Sequence, residues 1–320
     1  MIRRRTLIGA AAAVLAMPSV ARASRTLTLL VGGPPGSVPD QNARSFAPFL
    51  QRHLPHTEIA LSNLEGQSGL LAFRALAAAE PTGATLGWVG TPTLPARMVD
   101  RGGDKLMEQL VLLGAVQKEP VVIVSPAASP LTSAQDIITK AATDKDSVPF
   151  GTPAAGSPPF LAALRLQALA QTRLNIVSFP SSQAARQAVL ASNVSAAALA
   201  LSDAIGDLRE GRLVGLGIAA RKPLDAFPDM PPLRDVGLPL SAVILRGLAA
   251  PAGVPAGALE PVTAAMKAVV GDPEFVAQGD SGGFTAQWID GAAWTTQAGT
   301  ERDDLARLWE TDPWLPTGTG

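Results

Sequence analysis

The chain has 320 residues, which is enough for two domains of ordinary size and a large buried core. Hydrophobic residues make up 47% of the chain and charged residues 17%, which excludes an intrinsically disordered protein. The 26 basic and 27 acidic residues nearly cancel, so the surface offers no strong field for nucleic acid or an anionic membrane.

The first residues are typical of a secretory signal peptide. Met1–Arg5 is basic, Thr6–Met17 is apolar, and Ala21–Ala23 has the small-residue spacing of a cleavage site. The apolar run is shorter than the ~20 residues that span a bilayer. We therefore expect residues 1–23 to be removed on export to the periplasm, by the general or the twin-arginine route. An uncleaved membrane anchor is the alternative.

Short apolar runs with the composition of β-strands alternate with helical patterns along the chain. The runs are Thr26–Val31, Glu58–Leu61, Thr85–Val89, Val111–Val116, Val121–Val124, Asn175–Ser178, Ala196–Leu201, Val214–Ala219 and Val243–Ala249. This alternation predicts an α/β fold of mostly parallel sheets flanked by helices. From Pro251 onward the pattern is mainly helical.

Two loops are rich in glycine and proline: Gly32–Pro39 lies between a predicted strand and a predicted helix, and Thr152–Pro159 leads into a predicted helix. In α/β sheets such loops, at the carboxyl ends of strands, are where ligands bind. Backbone N–H groups freed by glycine geometry, together with a helix N-terminus, can hold an anion. A tight turn without a ligand is the alternative for each loop. Two such loops in separate halves of an exported chain favour a clamshell site for a carboxylate.

Residues suited to catalysis are few. Cysteine is absent, which excludes disulfides, thiolate nucleophiles and cysteine-ligated zinc, and there is no G-x-S-x-G nucleophile motif. The two histidines, His53 and His56, flank a proline at a predicted helix end and lack the spacing of a zinc pair. We therefore expect no enzyme activity, no metal and no cofactor. A secreted α/β hydrolase is the alternative.

Single charged residues near the loops have two interpretations each. Asp203 follows the strand Ala196–Leu201 and can accept a hydrogen bond from a ligand ammonium or hydroxyl, or cap the next helix. Asp40 is expected to cap the helix after the first loop. Arg44 and Arg74 are either counter-ions for an anion or solvated helix residues.

The stretch Leu29–Arg44 resembles the opening of the Bug family, the substrate-binding receptors of tripartite tricarboxylate transporters. Further segments similar to the family's motifs follow in the family's order over essentially the whole mature chain. They are Asn63–Gly69, Pro81–Leu86, Val121–Ser133, Gly151–Ser157, Arg221–Gly237 and Gly247–Pro255.

The resemblance implies a type II periplasmic-binding-protein fold with two α/β lobes. The first lobe would comprise residues 24–121 plus 246–320, and the second residues 122–245. A small carboxylate would bind between the lobes, at the two glycine-containing loops. The residues expected to bind it are Gly33, Pro34, Pro35, Gly36, Ser37, Asp40 and Thr91 in the first lobe, and Thr152, Ala154, Ala155, Gly156, Ser157 and Asp203 in the second.

The resemblance also implies a monomeric receptor that delivers its ligand to membrane transporter subunits. A sensor subunit that contacts a histidine-kinase ectodomain is the alternative partner assignment. The chain departs from the family pattern at Ser37-Val38 and at Ser178-Phe179-Pro180. The identity of the ligand is therefore not implied.

Overall fold

A computed structural model describes residues 25–103 and 105–315. The predicted signal peptide, residues 1–23, lies outside the described residues. Across these two ranges, no helix combines the length and the apolar character that crossing a membrane requires.

Where a predicted apolar run corresponds to a single strand, its ends agree with those of the strand to within two residues. Their bounds are β1 (Arg25–Val31), β2 (Thr57–Asn63), β3 (Thr85–Thr91), β4 (Leu110–Pro126), β5 (Pro149–Thr152), β6 (Asn175–Ser178), β7 (Ala196–Ala200), β8 (Leu213–Ile218), β9 (Val243–Pro251) and β10 (Thr285–Asp290). Two predicted strands are parts of the long strand β4, whereas β5 and β10 were not predicted. The C-terminal part is therefore helical except for β10.

The helices lie mainly between the strands. Their bounds are α1 (Val38–Arg52), α2 (Leu70–Ala77), α3 (Thr93–Asp100), α4 (Leu106–Gln109), α5 (Ala134–Thr143), α6 (Pro158–Ala170), α7 (Ser182–Leu190), α8 (Leu201–Arg209), α9 (Ala256–Val270), α10 (Pro273–Gly282) and α11 (Gly291–Thr311). Ser157 caps α6, as its position before two prolines predicted.

Two helices begin earlier than the sequence suggested. Ser37 occupies the N-cap position of α1, so Asp40 lies inside the first turn and is not the cap. Ala200 occupies the N-cap position of α8, and Asp203 is likewise a first-turn residue. The capping interpretation of both aspartates is therefore wrong, and each carboxylate is available for other contacts.

The strands form two mixed sheets that share β4. In the first sheet the order is β2-β1-β3-β9-β4-β10, and in the second it is β8-β4-β7-β5-β6. The strands β1, β2 and β3 are parallel, as are β5, β6 and β7. The pairings of β4 with β7, β8, β9 and β10, and of β3 with β9, are antiparallel. The expected parallel pattern thus holds among β1, β2 and β3 and among β5, β6 and β7, whereas every pairing of β4 and of β9 is antiparallel.

Helices cover both faces of each sheet and bury four apolar clusters. On the first sheet, α1, α9 and α10 pack on one face and α2, α3, α4 and α11 on the other. On the second sheet, α5 and α6 pack on one face and α7 and α8 on the other. Each half of the molecule therefore has its own core.

A fifth apolar cluster connects the two halves. Phe160, Leu161 and Leu164 of α6 pack there with Ala96 of α3, Leu305 of α11 and Trp314. Because α6 covers the second sheet while α3 and α11 cover the first, this cluster is a direct contact between the two halves.

Candidate ligand-binding cavity

A cavity of about 280 Å³ lies where the loops of the first sheet face those of the second. On the side of the first sheet it is lined by Gly32, Val38, Pro39, Ser68, Gly69, Phe73, Trp88, Gly90, Thr93 and Arg97. On the side of the second sheet it is lined by Ala154, Ala155, Gly156, Ser157, Pro158, Pro159, Ser182, Ala200 and Asp203, and β9 adds Ile244 and Arg246. The two loops singled out in the sequence therefore face the same space.

The first loop contributes its ends to the cavity, and its middle lies behind them. Gly32, directly after β1, lines the cavity, as do Val38 and Pro39 in the first turn of α1. A Cβ atom on Gly32 would lie 2.9 Å from the Cα of Gly69, so the absence of a side chain lets two backbone segments meet at the wall. The expected contact residues Gly33, Pro34, Pro35, Gly36, Ser37 and Asp40 are outside the lining.

Asp40 stabilises the first loop without lining the cavity itself. Its carboxylate accepts hydrogen bonds from the backbone N–H of Gly36 at 2.8 Å and from Nδ2 of Asn63 at 2.9 Å, and it pairs with Arg44 at 2.9 Å. The hydrogen bond from Arg44, followed by those from Gly36 and Asn63, lowers the pKa of Asp40 to about 2 against the opposing effect of burial. Asp40 is thus a positioning residue, and Arg44 is its partner instead of a counter-ion for a ligand.

The second loop lines the cavity directly. Ala154, Ala155, Gly156 and Ser157, which lie between β5 and α6, all belong to the lining. The Oγ of Ser157 accepts a hydrogen bond from the N–H of Phe160 at 3.4 Å, which directs the N-terminus of α6 toward the cavity wall. Gly156 has a φ of +74°, which favours glycine.

Two expected threonines lie behind the lining. Thr91 is buried at the end of β3, where its Oγ1 accepts a hydrogen bond from Nε1 of Trp294 at 3.0 Å. Thr152 is fully buried at the end of β5. They are placed to support the lining residues that follow them in the chain, such as Thr93 and Ala154.

Asp203 lies in the first turn of α8 and faces the cavity. Burial, and then the nearby charge of Glu119, raise the pKa of Asp203 to about 6, although the Ser182 hydroxyl, Arg246 and Arg186 act in the opposite direction. Its Oδ2 atom is buried and makes no hydrogen bond to any residue that the structure describes. A buried carboxylate oxygen without a donor is suited to accept one from a ligand.

Arg97 of α3, which no pattern in the sequence marked as a site residue, also lines the cavity. Its side chain is 1% exposed, pairs with Asp100 at 2.5 Å, and donates from Nη2 to the backbone oxygen of Gly156 at 3.2 Å. Burial lowers the pKa of Arg97 and raises the pKa of Asp100, while each group's charge favours ionisation of the other. Arg97 therefore contacts the second loop directly from the first half.

Arg246 on β9 is the second missed arginine. It pairs with Glu119 of β4, which is 1% exposed and also accepts the backbone N–H of Ser202 at 2.7 Å. The available signal was a charged residue inside the apolar run Val243–Ala249, since an arginine is rarely buried in a strand without a partner. Arg97 had no comparable signal, because an arginine on an amphipathic helix is usually solvated.

Apolar side chains form much of the remaining wall. Phe73 of α2, Trp88 of β3 and Ile244 of β9 line the cavity together with prolines of both loops. The ring of Trp88 packs on that of Phe46 with a centroid distance of 5.0 Å, and its Nε1–H is buried without a partner in the described part of the chain. The cavity thus combines apolar walls with a small number of polar groups, as ligand sites commonly do.

Comparison with known proteins gives one family and a set of similar folds. Residues 43–297 match the family described as tripartite tricarboxylate transporter family receptor. A UPF0065 protein of Bordetella bronchiseptica is 27% identical over 258 residues, which cover 80% of this chain and 76% of that protein.

Two solved structures have the same fold as this chain. A Rhodopseudomonas palustris protein solved with adipate has a TM-score of 0.79 at 20% identity, covering 90% of this chain and 97% of its own. The periplasmic binding protein BugD has a TM-score of 0.76 at 18% identity, with coverage of 90% and 97%. The fold is therefore the α/β periplasmic-binding-protein fold, as the sequence predicted.

Proposed function

The chain belongs to the family of tripartite tricarboxylate transporter receptors, and from this premise we propose that it captures a small carboxylate in the periplasm for a membrane transporter. Members of the family are solute-binding receptors and not enzymes. The observation that carries the proposal is that loops from both halves of the molecule line one cavity. Adipate in a Rhodopseudomonas palustris protein of the same fold supports a carboxylate ligand.

The two halves are proposed to act as lobes that open and close around the ligand. The first lobe would comprise residues 24–121 plus 246–320 and the second residues 122–245, so that both boundaries fall within β4 and β9. These two strands pair along nine register positions, from Leu110 with Pro251 to Pro120 with Val243. Two paired strands that pass from one lobe to the other are suited to act as a hinge, because they connect the lobes while the loops at the cavity remain free to separate.

The anion would be held by several weak interactions with helix N-termini that act together. An exposed helix N-terminus contributes only about 0.3–1 kcal/mol to anion binding, so one helix is not sufficient. In the cavity, the N-terminal turns of α1, α6, α7 and α8 all contribute lining residues. Each of these interactions would become stronger when closure of the lobes shields the cavity from water.

Isothermal titration of the mature chain against mono-, di- and tricarboxylates and amino acids tests the receptor function. We expect at least one ligand with a dissociation constant of about 1 μM or tighter. Failure of every carboxylate to bind protein freed of co-purified ligand would contradict the proposal.

A matched pair of variants tests the location of the site. Ser157→Leu and Ser133→Leu each remove the cap of a helix, because Ser157 caps α6 and Ser133 caps α5 through a side-chain hydrogen bond. Only Ser157 lines the cavity. We expect similar losses of stability, of about 1 kcal/mol each from the lost cap, and a loss of ligand affinity only in Ser157→Leu.

Export and the partner are tested in cells. N-terminal sequencing of the protein from a periplasmic extract should find a mature chain that begins near Ser24. Deletion of the transporter's membrane subunits should abolish uptake of the ligand while its binding to the purified receptor is unchanged. Uptake that persists, together with a transcriptional response that depends on a sensor kinase, would favour the sensor role instead.

A further inference from the structure

We propose that this cavity selects a ligand with one carboxylate and one ammonium group on an apolar body, in preference to a dicarboxylate or tricarboxylate. The inference rests on the receptor function proposed above and concerns which class of carboxylate the site accepts. It follows from the charge balance of the lining, from three polar atoms that have no partner among the described residues, and from the apolar wall.

The charged side chains of the described lining leave one negative charge without a partner. Arg97 and Arg246 are the cationic side chains among the described lining residues, and each is already paired with a buried acid. Asp100 is fully buried beside Arg97, and Glu119 is 1% exposed beside Arg246, so each pair is neutral as a unit. Asp203 then remains as the uncompensated charge of the lining. Arg186, which acts on Asp203 from a distance, is itself paired with Asp207 at 3.4 Å.

A dicarboxylate fits this balance poorly. One of its carboxylates can be held by amides and donors of the lining, but the second meets no unpaired cationic side chain among the described lining residues and adds to the negative charge of Asp203. Repulsion between like charges a few ångströms apart is strong in a site that excludes water. An ammonium group in the same place would instead form a charge-assisted hydrogen bond with Asp203.

Three polar atoms of lining residues have no hydrogen-bond partner among the described residues. Nε1 of Trp88 and Nε of Arg97 are buried donors without partners among the described residues, and Oδ2 of Asp203 is a buried acceptor in the same condition. All three residues line the cavity. A buried polar atom without a partner costs about 1–3 kcal/mol, so a ligand that reaches these atoms as the lobes close recovers that cost.

The distribution of these atoms gives the ligand an orientation. Trp88 and Arg97 belong to β3 and α3 of the first half, whereas Asp203 belongs to α8 of the second. The carboxylate would accept hydrogen bonds from the first half, and the ammonium would donate one to the second. Phe73 and Ile244 in the same lining offer an apolar surface for the carbon chain between them. A ligand that bridges the halves in this way stabilises the closed arrangement.

The test compares probes that share a carbon skeleton. Each set contains an ω-amino acid, a dicarboxylate and a plain monocarboxylate: 4-aminobutanoate, succinate and butanoate; 5-aminopentanoate, glutarate and pentanoate; 6-aminohexanoate, adipate and hexanoate. At the best-fitting length, we expect the amino acid to bind about tenfold or more tightly than both other members, measured by titration calorimetry. A dicarboxylate that binds more tightly than its amino counterpart overturns the inference and leaves the receptor function intact.

Two variants assign the selectivity to named atoms. Asp203→Asn should remove the preference for the amino acid, and Trp88→Phe should weaken all carboxylates alike without changing that preference. Affinity ratios are compared, so a change in stability affects all probes equally. If Asp203→Asn retains the preference, the assignment of Asp203 is wrong. If no carboxylate of any class binds wild-type protein, the receptor function itself fails, and this inference with it.

Discussion

Trp314 donates its indole N–H to Oδ2 of Asp100 at 2.7 Å, and the same oxygen pairs with Arg97. Arg97 in turn donates to the backbone oxygen of Gly156, in the loop that lines the cavity. The C-terminal segment after α11 is thereby connected to the cavity wall through two side chains.

Trp314→Phe tests this connection. The variant keeps a ring in the apolar cluster but leaves Asp100 without its indole donor, so we expect a stability loss of about 1–3 kcal/mol and weaker ligand binding. Trp309→Phe is the control, because its ring packs on Trp314 at a centroid distance of 4.7 Å without forming the hydrogen bond to Asp100. Chemical denaturation and titration calorimetry measure both effects. Equal loss of affinity in the two variants would indicate a packing role only.

Gly156→Ala is expected to disturb the site more than an equivalent change in the first loop. A Cβ at Gly156 would lie 2.1 Å from Nη2 of Arg97 and 3.0 Å from Oδ2 of Asp100, so the buried ion pair would have to move. Gly36→Ala is the matched control, since Gly36 has a similar φ of +82° but no atom within 4 Å of the added Cβ.

Each of these two substitutions carries the backbone penalty of about 1 kcal/mol for a non-glycine residue in the left-handed region. We expect Gly36→Ala to show only that penalty in thermal unfolding, with ligand affinity nearly unchanged. Gly156→Ala should in addition lower ligand affinity by about tenfold or more, since Arg97 and Asp100 must be displaced. Unchanged affinity in Gly156→Ala would remove the second loop from the site.

Asp40→Asn tests how the first loop is stabilised. The folded-state pKa of Asp40, about 2, is below its ordinary value of 3.8, so its ionised form stabilises the fold above that ordinary value. This contribution is lost as the pH falls through about 2. We therefore expect wild type to be more stable than Asp40→Asn at neutral pH, with the difference vanishing in strong acid. Because Arg44 is half-exposed, added salt should reduce the difference.

Much of the fold could be predicted from the sequence, because a strand such as Ala196–Ala200 is a continuous apolar run with polar residues before and after it. The fusion of two runs into β4 could not, since Lys118, Glu119 and Pro120 interrupt the apolar pattern. In the folded chain Glu119 stays in the strand because Arg246 on the neighbouring strand β9 compensates its charge. That compensation depends on a contact between residues more than a hundred positions apart, and no local pattern reports it.

The residues predicted to bind a ligand in the second loop mostly line the cavity, whereas those in the first loop do not. Ala154–Ser157 line the cavity as expected, since a loop entering a helix N-terminus exposes its backbone. The residues Gly33–Ser37 lie behind the wall, because the turn closed by Asp40 directs Gly32 and Pro39 toward the cavity in their place. Side-chain orientation across a tight turn depends on such tertiary hydrogen bonds, which sequence spacing does not specify.

Removing one partner of the buried ion pair of Arg246 and Glu119 should destabilise the protein more than replacing both charged residues by neutral ones. Arg246→Met leaves Glu119 buried without its countercharge, so we expect a loss of about 3–5 kcal/mol in the free energy of unfolding. Adding Glu119→Gln should restore most of it, because a neutral amide oxygen can still accept the N–H of Ser202. Urea denaturation of both single variants and the double variant measures the coupling. Additive losses would show that the two charges do not depend on each other.

Asp203→Asn should stabilise the ligand-free protein, and increasingly so as the pH rises. The folded-state pKa of Asp203, about 6, is above its ordinary value of 3.8, so the folded state binds more protons than the unfolded chain between these values. Wild type therefore loses stability as the pH rises through this window, whereas the asparagine variant does not pay that desolvation cost. Denaturant unfolding of both proteins at pH values from below 3.8 to above 6 should show a difference that grows and then levels off. A difference that is independent of pH would mean that burial does not destabilise the ionised form of Asp203. The carboxylate would then have no physical reason to favour a cationic group of the ligand.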